Sequence, residues 1–248
     1  MDGGKATIPQ LAKEYTVATA EMAKFGCLVR DSELQQEQID KLLNLKKRIK
    51  GFKYGAIEAG DEPAANILFH IQCGLNAHIS FLQMWILLKK GDYYAAWDAL
   101  IDAEEYISIA IRAANEGVGI DDFLNRLKSV EDVVFPGYRV YNSCGFVIRG
   151  GQCSVCSKPF CECEHIEGIV YWGRLCIRVK PEIVRTDHIA MVEEPRDRRC
   201  VIMELTTGDG WYRDYMTWQK TKKAEDMEEG TLGAFVGRIL NTRWLEID

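Results

Sequence analysis

Apolar residues recur at helical spacing through residues 1–133, and this pattern predicts that the first half of the chain is helical throughout. The pattern Ser32-x-x-Gln35 is a capping box that predicts the start of one helix. The apolar positions that follow it at near-helical intervals are Ile39, Leu42, Leu43, Leu45 and Ile49. The sequence therefore predicts an amphipathic helix in this segment.

A second helix is predicted from Asp61-Glu62-Pro63, which supplies an N-cap carboxylate, an acid in the first turn and an early proline. The chain then stays apolar on most faces as far as Lys90, as a buried central helix does. Gly91 ends that helix and Asp92 caps the next, so the two form a tight antiparallel hairpin. A shorter helix over residues 121–133 completes a bundle of four or five helices.

The segment Phe135-Pro136-Gly137-Tyr138 marks the point where the periodicity changes to short β-type runs. These runs cover residues 145–148, 169–172, 175–179, 189–192 and 200–205. The tail returns to helical spacing from about Thr231 to Leu240. We therefore expect an α+β protein, with a helical bundle over residues 1–134 and a β-rich module with a C-terminal helix over residues 135–248.

The chemistry of the chain is concentrated between the first two β-type runs. Five metal-ligand side chains fall within thirteen residues: Cys153, Cys156, Cys161, Cys163 and His165. A Cys-x-x-Cys turn brings two thiolates to one metal, and a nearby Cys-x-His pair completes a tetrahedral Cys3His shell. This spacing predicts one structural Zn²⁺, which would contribute much of the folding free energy of a small β module.

The four ligands that we favour are Cys153, Cys156, Cys163 and His165. Cys161 competes with Cys163, and Cys176 on a following strand is a further alternate. Four protein ligands close the tetrahedron, whereas a catalytic zinc keeps one position for water. A zinc deaminase requires His-x-Glu followed by Pro-Cys-x-x-Cys, but here Cys-x-x-Cys comes first.

Composition and charge narrow the classes of function. The chain has nine Cys, mostly bunched, and no basic-then-apolar signal peptide at its start, so we expect a reducing cytoplasm and no disulfide framework. Residues 1–135 carry 15 basic and 20 acidic side chains, and residues 136–248 carry 16 and 17. Neither half has the basic excess of a dedicated nucleic-acid-binding domain.

The order of these elements resembles a zinc-binding module of poorly characterised bacterial and prophage-encoded proteins. The resemblance rests on Cys153-Ser-x-Cys156, Cys163-x-His165-Ile and Gly168-x-x-Tyr171-x-Gly173-x-x-Cys176, and it covers about residues 150–205. Cys161 departs from the pattern, in which another residue type is usual. The resemblance implies a bacterial cytoplasmic setting, connected with mobile elements or phage defence, and it implies no activity.

We interpret the polar residues on the predicted helices as structural, without a role in catalysis or metal binding. Asn66, His70 and Cys73 share one helical face, and we expect a core network satisfied by hydrogen bonds. Asp98, Asp102 and Glu105 form an acidic stripe, for which we expect a solvated face or a basic partner. A di-metal bundle would need paired Glu-x-x-His motifs, and the sole such motif in the sequence lies inside the cysteine cluster.

Local basic clusters in the second half are candidates for nucleic-acid contacts: Arg196, Arg198, Arg199, Lys220, Lys222 and Lys223. We interpret these clusters first as solvated helix or turn faces. The rings of Trp211, Tyr212, Tyr215 and Trp218 have basic residues among them, as a base-stacking surface does, but rings at this spacing also pack small cores. Arg185-Thr-Asp-His188 follows a proline and is interpreted as a turn.

The leading hypothesis is a non-enzymatic zinc adaptor whose helical half binds a protein partner or a second copy of the chain. The sequence contains no phosphate-binding Gly-Lys-Ser/Thr loop and no Gly-x-Ser-x-Gly elbow. The alternative is a nucleic-acid-binding zinc protein or nuclease accessory. A zinc-dependent hydrolase or deaminase has the least support, and no membrane partner is expected.

Overall fold

The structure is a computed structural model that describes residues 7–26, 29–114, 120–138, 140–224, 233–240 and 245. Five α-helices come first in the described part of the chain, and short antiparallel strands follow them. The α+β class that the sequence predicts is therefore confirmed.

The chain divides into two compact units that differ from the two sequence segments expected at the 134/135 boundary. One unit comprises the described residues of 1–129 together with residues 150–181. The other comprises the described residues of 130–149 and 182–244. The Cys/His segment thus belongs to the same unit as the helical bundle, and the β-rich half of the sequence is split.

The helices are α1 (Ile8–Met22), α2 (Ser32–Glu58), α3 (Glu62–Lys89), α4 (Tyr93–Ala113) and α5 (Ile120–Val134). Asp61 and Asp92 cap α3 and α4 as predicted, by accepting hydrogen bonds from the backbone N–H groups of Ala64 and Ala95. The predicted capping box of α2 is wrong. Asp31 caps this helix, and Gln35 instead donates to the carbonyl oxygen of Phe25 at 2.8 Å.

Helix α3 is the core of the bundle, because α1, α2 and α4 all pack against it. Leu68, Leu75 and Leu82 on α3 are at most 2% exposed and join Ile39 and Ile49 of α2 in one apolar cluster. The length and hydropathy of α3 match those of a membrane-spanning helix, but 78% of its apolar window is buried inside the protein. That burial is typical of the core helix of a soluble bundle.

The polar residues of the bundle differ in part from expectation. His70 and Asn66 are hydrogen-bonded as predicted, His70 through Nδ1 to the carbonyl oxygen of Ala110 at 2.8 Å. The prediction of a solvated acidic stripe is wrong for Asp98 and Asp102, which are only 7% and 4% exposed. They lie on the buried face of α4, where small residues let the helices approach closely.

His78 is a buried titratable group in this bundle. Its Nδ1 lies 2.7 Å from the carbonyl oxygen of Gly74, and its ring stacks on Phe123 at 4.0 Å. Burial lowers the pKa of His78 from 6.5 to about 4, and the positive charge of Arg126 adds to this effect. The folded protein therefore holds this ring neutral at pH 7.

We expect His78 to make the protein less stable as the pH falls. Between pH 6.5 and 4 the unfolded chain binds a proton at this ring and the folded protein does not, so the free energy of unfolding rises with pH. The wild type should lose about 2 kcal/mol between pH 7 and pH 5 through this group. Urea unfolding of His78→Gln at both pH values checks this. Metal loss affects both proteins alike, so an equal pH dependence in the two would contradict the assignment.

Within the helical unit, residues 150–181 form a small module of short strands: β2 (Gln152–Cys153), β3 (Val170–Tyr171), β4 (Arg174–Leu175) and β5 (Arg178–Val179), with a 3₁₀ turn at Phe160–Glu162. Strand β2 pairs with β5, and β3 pairs with β4 in a hairpin. Trp172 and Gly173 form the two-residue turn of this hairpin, with φ of +50° and +64°. Two positive φ angles are typical of a type I′ turn.

The second unit contains two antiparallel sheets. Strands β1 (Tyr141–Arg149) and β6 (Glu182–Val192) form a two-stranded ribbon. Strands β7 (Ile202–Thr206), β8 (Trp211–Asp214), β9 (Lys220–Lys223) and β10 (Phe235–Gly237) form a four-stranded sheet in the order β10-β7-β8-β9.

Three local predictions in this unit are wrong. Residues 235–237 form a strand where a C-terminal helix is expected; Thr231 lies outside the described residues. Pairing of Phe235 with Leu205 overrides a helical pattern that Gly233 and Gly237 already weaken. Residues 185–188 lie within β6, not in a turn, and residues 220–223 form an edge strand, not a helix or turn face.

Two bulges in β6 decide which of its side chains share a face. Strict alternation along the strand would put the side chain of Arg185 on the same face as those of Ile183 and Ile189. Instead the pairing with β1 aligns Ile189 with Cys144 and Ile183 with Ile148, on one face, and Arg185 with Val147 on the other. One face of the ribbon therefore bears the isoleucines, and the opposite face bears the arginine. The ribbon is amphipathic.

Candidate metal centre

The first half of the candidate site is the turn from Cys153 to Cys156. The backbone N–H of Ser157 donates to the carbonyl oxygen of Cys153 at 2.9 Å, and Ser157 has a φ of +60°. The N–H of Val155 points at the sulfur of Cys153, 3.4 Å away. Backbone donors aimed at sulfur stabilise a thiolate, as in zinc knuckles.

Ser154 fastens this turn to the following strands. Its hydroxyl donates to the carbonyl oxygen of Leu175 at 2.6 Å and accepts from the N–H of Ile177 at 2.9 Å. The backbone N–H of Ser154 also donates to the carbonyl oxygen of Ile177. The hydroxyl thus donates one hydrogen bond and accepts one, which fixes the Cys-x-x-Cys turn against the segment from β4 to β5.

Cys163 and His165 supply the second half of the site, just after the 3₁₀ turn. The N–H of His165 donates to the sulfur of Cys163 at 3.2 Å, and the Nδ1 atom of His165 lies 3.2 Å from the same sulfur. The ring of Tyr171 packs edge-on against His165 at 4.6 Å between centroids. Tyr171 therefore holds the imidazole with Nδ1 toward the sulfurs.

The ligand atoms of Cys153, Cys156, Cys163 and His165 all lie within 4.8 Å of one another. The sulfur of Cys156 is 3.5 Å from that of Cys163, and the sulfur of Cys153 is 3.8 Å from Nδ1 of His165. Zn–S bonds of about 2.3 Å imply ligand-to-ligand edges of about 3.8 Å in a tetrahedron. These side chains are compatible with a single metal site, and the four that the sequence favoured are brought together.

The electrostatics of the cluster favour a cation. Burial raises the pKa of the Cys153 thiol, but hydrogen bonds from the backbone of Cys156 and Val155 outweigh it and lower the pKa to about 6. Burial and the neighbouring thiols raise the pKa of Cys163 to about 11 and that of Cys176 to about 12. Thiols this close cannot all ionise without a cation, because their negative charges would repel one another. A bound divalent cation would deprotonate the thiols that coordinate it.

The two alternate ligands differ in position. Cys161 is exposed and does not belong to the set within 4.8 Å. Cys176 is fully buried with its sulfur 3.8 Å from that of Cys153, so it lies directly beside the site. Glu162, Glu164 and Glu167 are exposed, as side chains in contact with solvent.

Helices α2 and α3 hold the tip of the β3-β4 hairpin. The side chain of Lys53 is fully buried, and its Nζ donates to the carbonyl oxygen of Gly173 at 3.2 Å. The N–H of Gly173 donates to Oδ1 of Asn66 at 2.7 Å, and the N–H of Trp172 donates to Oε1 of Glu62 at 3.1 Å. All three polar groups at the tip are therefore satisfied by helix side chains.

The close approach at this tip requires glycine. A Cβ atom on Gly173 would lie 2.9 Å from the carbonyl oxygen of Ala65 and 2.9 Å from Cδ of Lys53. The contacts of Lys53 and Asn66 with this tip are not predicted from the sequence. A signal existed for Lys53, because it stands four residues after Ile49 in the apolar stripe of α2, where a solvated lysine is out of place.

The candidate nucleic-acid residues of the second unit largely pair with carboxylates. Arg198 forms an ion pair with Glu131, and Arg199, only 3% exposed, pairs with Asp197 at 2.9 Å. Lys220 pairs with Asp209 at 2.9 Å. Lys222 lies 3.4 Å from a Glu204 oxygen, and the side chains of Arg196 and Lys223 are exposed. The two clusters lie on separate segments, a loop and an edge strand.

The aromatic group near β8 packs with its own cations. Lys220 lies over the ring of Trp211 at 5.2 Å, and Lys222 lies over the ring of Tyr212 at 4.7 Å. The ring of Tyr215 stacks on Tyr138 at 4.7 Å. Each of these three rings therefore has a side chain of the protein against one face, whereas Trp218 is 55% exposed.

Comparison of the chain with protein-family models, with curated proteins and with solved structures found no match.

Proposed function

We propose that this protein is a non-enzymatic interaction protein in which one structural Zn²⁺ organises the module of residues 150–181. The Cys3His cluster supports this, because four protein ligands fill a tetrahedron and leave no position for a reacting water. The docked hairpin tip adds support, since it ties the metal module to the helices through Lys53. A metal in this position would stabilise the folded structure of residues 150–181 and would not take part in a reaction.

The surface that we propose for contact is the apolar face of the β1-β6 ribbon. Ile148, Ile183, Ile189 and Met191 are between 42% and 59% exposed. Val17 and Leu34, exposed apolar residues of the helical half, lie on different helices, whereas those of the ribbon share one face, so the ribbon fits the role better than the helical half that the sequence suggested.

The partner that we propose for this face is a second copy of the chain. A two-stranded ribbon is marginally stable alone and needs further strands or a second layer packed against its apolar face. In a two-fold symmetric contact the same face of both copies meets, and the bulges keep the charge of Arg185 off that face. No buried charge would then oppose the contact.

Sedimentation velocity over a range of concentrations tests this proposal. We expect the wild type to dimerise and the double variant Ile183→Lys and Ile189→Lys to stay monomeric, because two charges would enter the contact. Val147→Lys is the control, since Val147 is 37% exposed on the opposite face and should leave dimerisation intact. A wild type that stays monomeric up to about 100 μM, well above usual dimer affinities, would refute self-association by this face.

The setting of the protein belongs to the same proposal. A bacterial cytoplasm, with a role in phage defence, rests on the resemblance of residues 150–205. Nucleic-acid binding through Arg196–Arg199 and Lys220–Lys223 has weaker support, because four of these six basic side chains named above pair with carboxylates. Zinc-dependent hydrolysis has the least, since a closed ligand set offers no open position.

A further inference from the structure

Cys176 is a thiol beside the candidate metal centre that the four favoured ligands leave unused. Its side chain is fully buried, and its sulfur lies 3.8 Å from that of Cys153. Two heavy atoms at this distance are in van der Waals contact. The set of ligand atoms that lie within 4.8 Å of one another does not include the sulfur of Cys176. The structure therefore places a thiol outside the ligand set in direct contact with a ligand sulfur.

Hydrogen bonds on both sides of Cys176 fix this contact. Ser154 follows Cys153 in the chain, and its hydroxyl bonds both neighbours of Cys176, the carbonyl oxygen of Leu175 and the N–H of Ile177. The backbone N–H and carbonyl oxygen of Cys176 are also both hydrogen-bonded, at 2.8 Å. The two cysteines are therefore held side by side by the backbone and do not depend on a chance rotamer to meet.

The two cysteines have different roles in an oxidation. A thiol that coordinates a metal is deprotonated, and the thiolate is the form that reacts with oxidants. Cys153 is therefore the cysteine that is attacked, and Cys176 is the resolving thiol that redox-sensitive cysteines commonly have beside them. Cys156 and Cys163 lie next to Cys153 in the cluster and are partly exposed, so a small oxidant reaches the cluster from their side.

We propose that Cys153 and Cys176 form a disulfide when the protein meets hydrogen peroxide, and that this bond releases the zinc. The thiolate of Cys153 attacks one oxygen of the peroxide, and the O–O bond breaks to leave a sulfenic acid on Cys153 and a hydroxide ion. The sulfur of Cys176 then attacks the sulfur of Cys153. The S–O bond breaks, and the oxygen leaves as water with the proton of Cys176. The two sulfurs lose two electrons in total, and the peroxide gains them.

The disulfide takes one ligand from the metal but keeps the module closed. The two sulfurs have to approach by less than about 2 Å to reach the disulfide length of about 2.05 Å. The new bond joins β2 to the residue before β5, and these two strands already pair. Excess thiol reduces such a bond by exchange, so the oxidation is reversible. The inference rests on the zinc site of the proposed function and makes that site sensitive to peroxide.

Treatment of the zinc-loaded full chain with one equivalent of hydrogen peroxide tests the proposal. A colorimetric chelator measures the released zinc, and mass spectrometry after alkylation and digestion identifies the linked cysteines. We expect the main disulfide to join Cys153 to Cys176, with one zinc released for each disulfide formed. Dithiothreitol with added zinc should then restore one zinc per chain, because thiol exchange returns both cysteines to the reduced state.

Two variants separate the resolving thiol from the other free cysteines. Cys176→Ser should bind one zinc, and peroxide should leave on Cys153 a sulfenic acid that dimedone traps and that does not accumulate in the wild type. Cys161→Ser is the matched control, because Cys161 is exposed and outside the cluster, and it should form the same disulfide as the wild type. The mapping on the wild type needs no substitution, so it decides the proposal even where Cys176→Ser does not fold.

A main disulfide between Cys156 and Cys163, whose sulfurs lie 3.5 Å apart, would overturn the proposal. Zinc release from a protein in which Cys176 still reacts with the alkylating reagent would do the same, as would loss of the Cys153–Cys176 disulfide in Cys161→Ser. A reduced wild type that contains no zinc would refute the metal site of the proposed function itself. A zinc-loaded wild type in which peroxide forms no such disulfide would refute this inference alone.

Discussion

Cys156→Ser will lose its zinc and the ordered structure of residues 150–181. Cys156 is one of the four candidate ligands, and its sulfur lies 3.5 Å from that of Cys163. Changes outside the ligand shell already cost 10- to 100-fold in metal affinity, so removal of a ligand should cost more than about 100-fold. Structural zinc supplies about 10–16 kcal/mol in small zinc-folded peptides, and this module has little core besides Val170, Leu175 and Cys176.

The measurement is zinc stoichiometry of the purified variant, combined with thermal unfolding followed by near- and far-ultraviolet circular dichroism. The far-ultraviolet helical signal should persist, because the apolar cluster of the bundle consists of residues from α1, α2 and α3. Cys161→Ser is the matched control. Its side chain is exposed and outside the cluster, so it should keep one zinc and the wild-type melting temperature. Zinc retained by Cys156→Ser, or lost by Cys161→Ser, would show that the ligand assignment is wrong.

Gly173→Ala will destabilise the protein by about 2–4 kcal/mol, one of the larger effects expected of a single substitution. Gly173 has a φ of +64°, which costs alanine about 1–2 kcal/mol. The added Cβ would also lie 2.9 Å from the backbone carbonyl of Ala65, which cannot move without disturbing α3. The hairpin tip would then lose its hydrogen bonds to Lys53 and Asn66.

Gly60→Ala is the control that separates the cost of a positive φ from the cost of the steric clash at Gly173. Gly60 has a φ of +71°, but nothing lies within 4 Å of an added Cβ. We expect Gly60→Ala to lower the free energy of unfolding by only about 1–2 kcal/mol, the cost of the left-handed backbone conformation. Guanidinium unfolding of both variants gives the comparison. Equal losses of stability would mean that the metal module does not dock on the helices as described here.

The sequence predicted most of the local structure, because the signals are local. Asp61 and Asp92 stand beside apolar stripes and cap helices as expected. The spacing of Cys153, Cys156, Cys163 and His165 within thirteen residues predicted one cluster, because a turn alone brings such residues together.

The features that the sequence did not predict depend on contacts between distant segments. Lys53 is separated from Gly173 by 120 residues, so no local pattern connects them. Asp98 and Asp102 look solvated in the sequence because they form an acidic stripe with Glu105 at helical spacing, and only the packing of α4 on α3 buries them. The bulges of β6 depend on its pairing with β1, and the strand at Phe235 depends on β7.

X-ray absorption at the zinc edge of the purified wild type, with elemental analysis, tests the central claim most directly. We predict one zinc per chain with three sulfur ligands, one nitrogen ligand and no oxygen from water, because Cys153, Cys156, Cys163 and His165 fill the tetrahedron. Four sulfurs and no nitrogen would mean that Cys176 replaces His165. A water-like oxygen in the shell, or a protein that binds no zinc, would contradict the structural role.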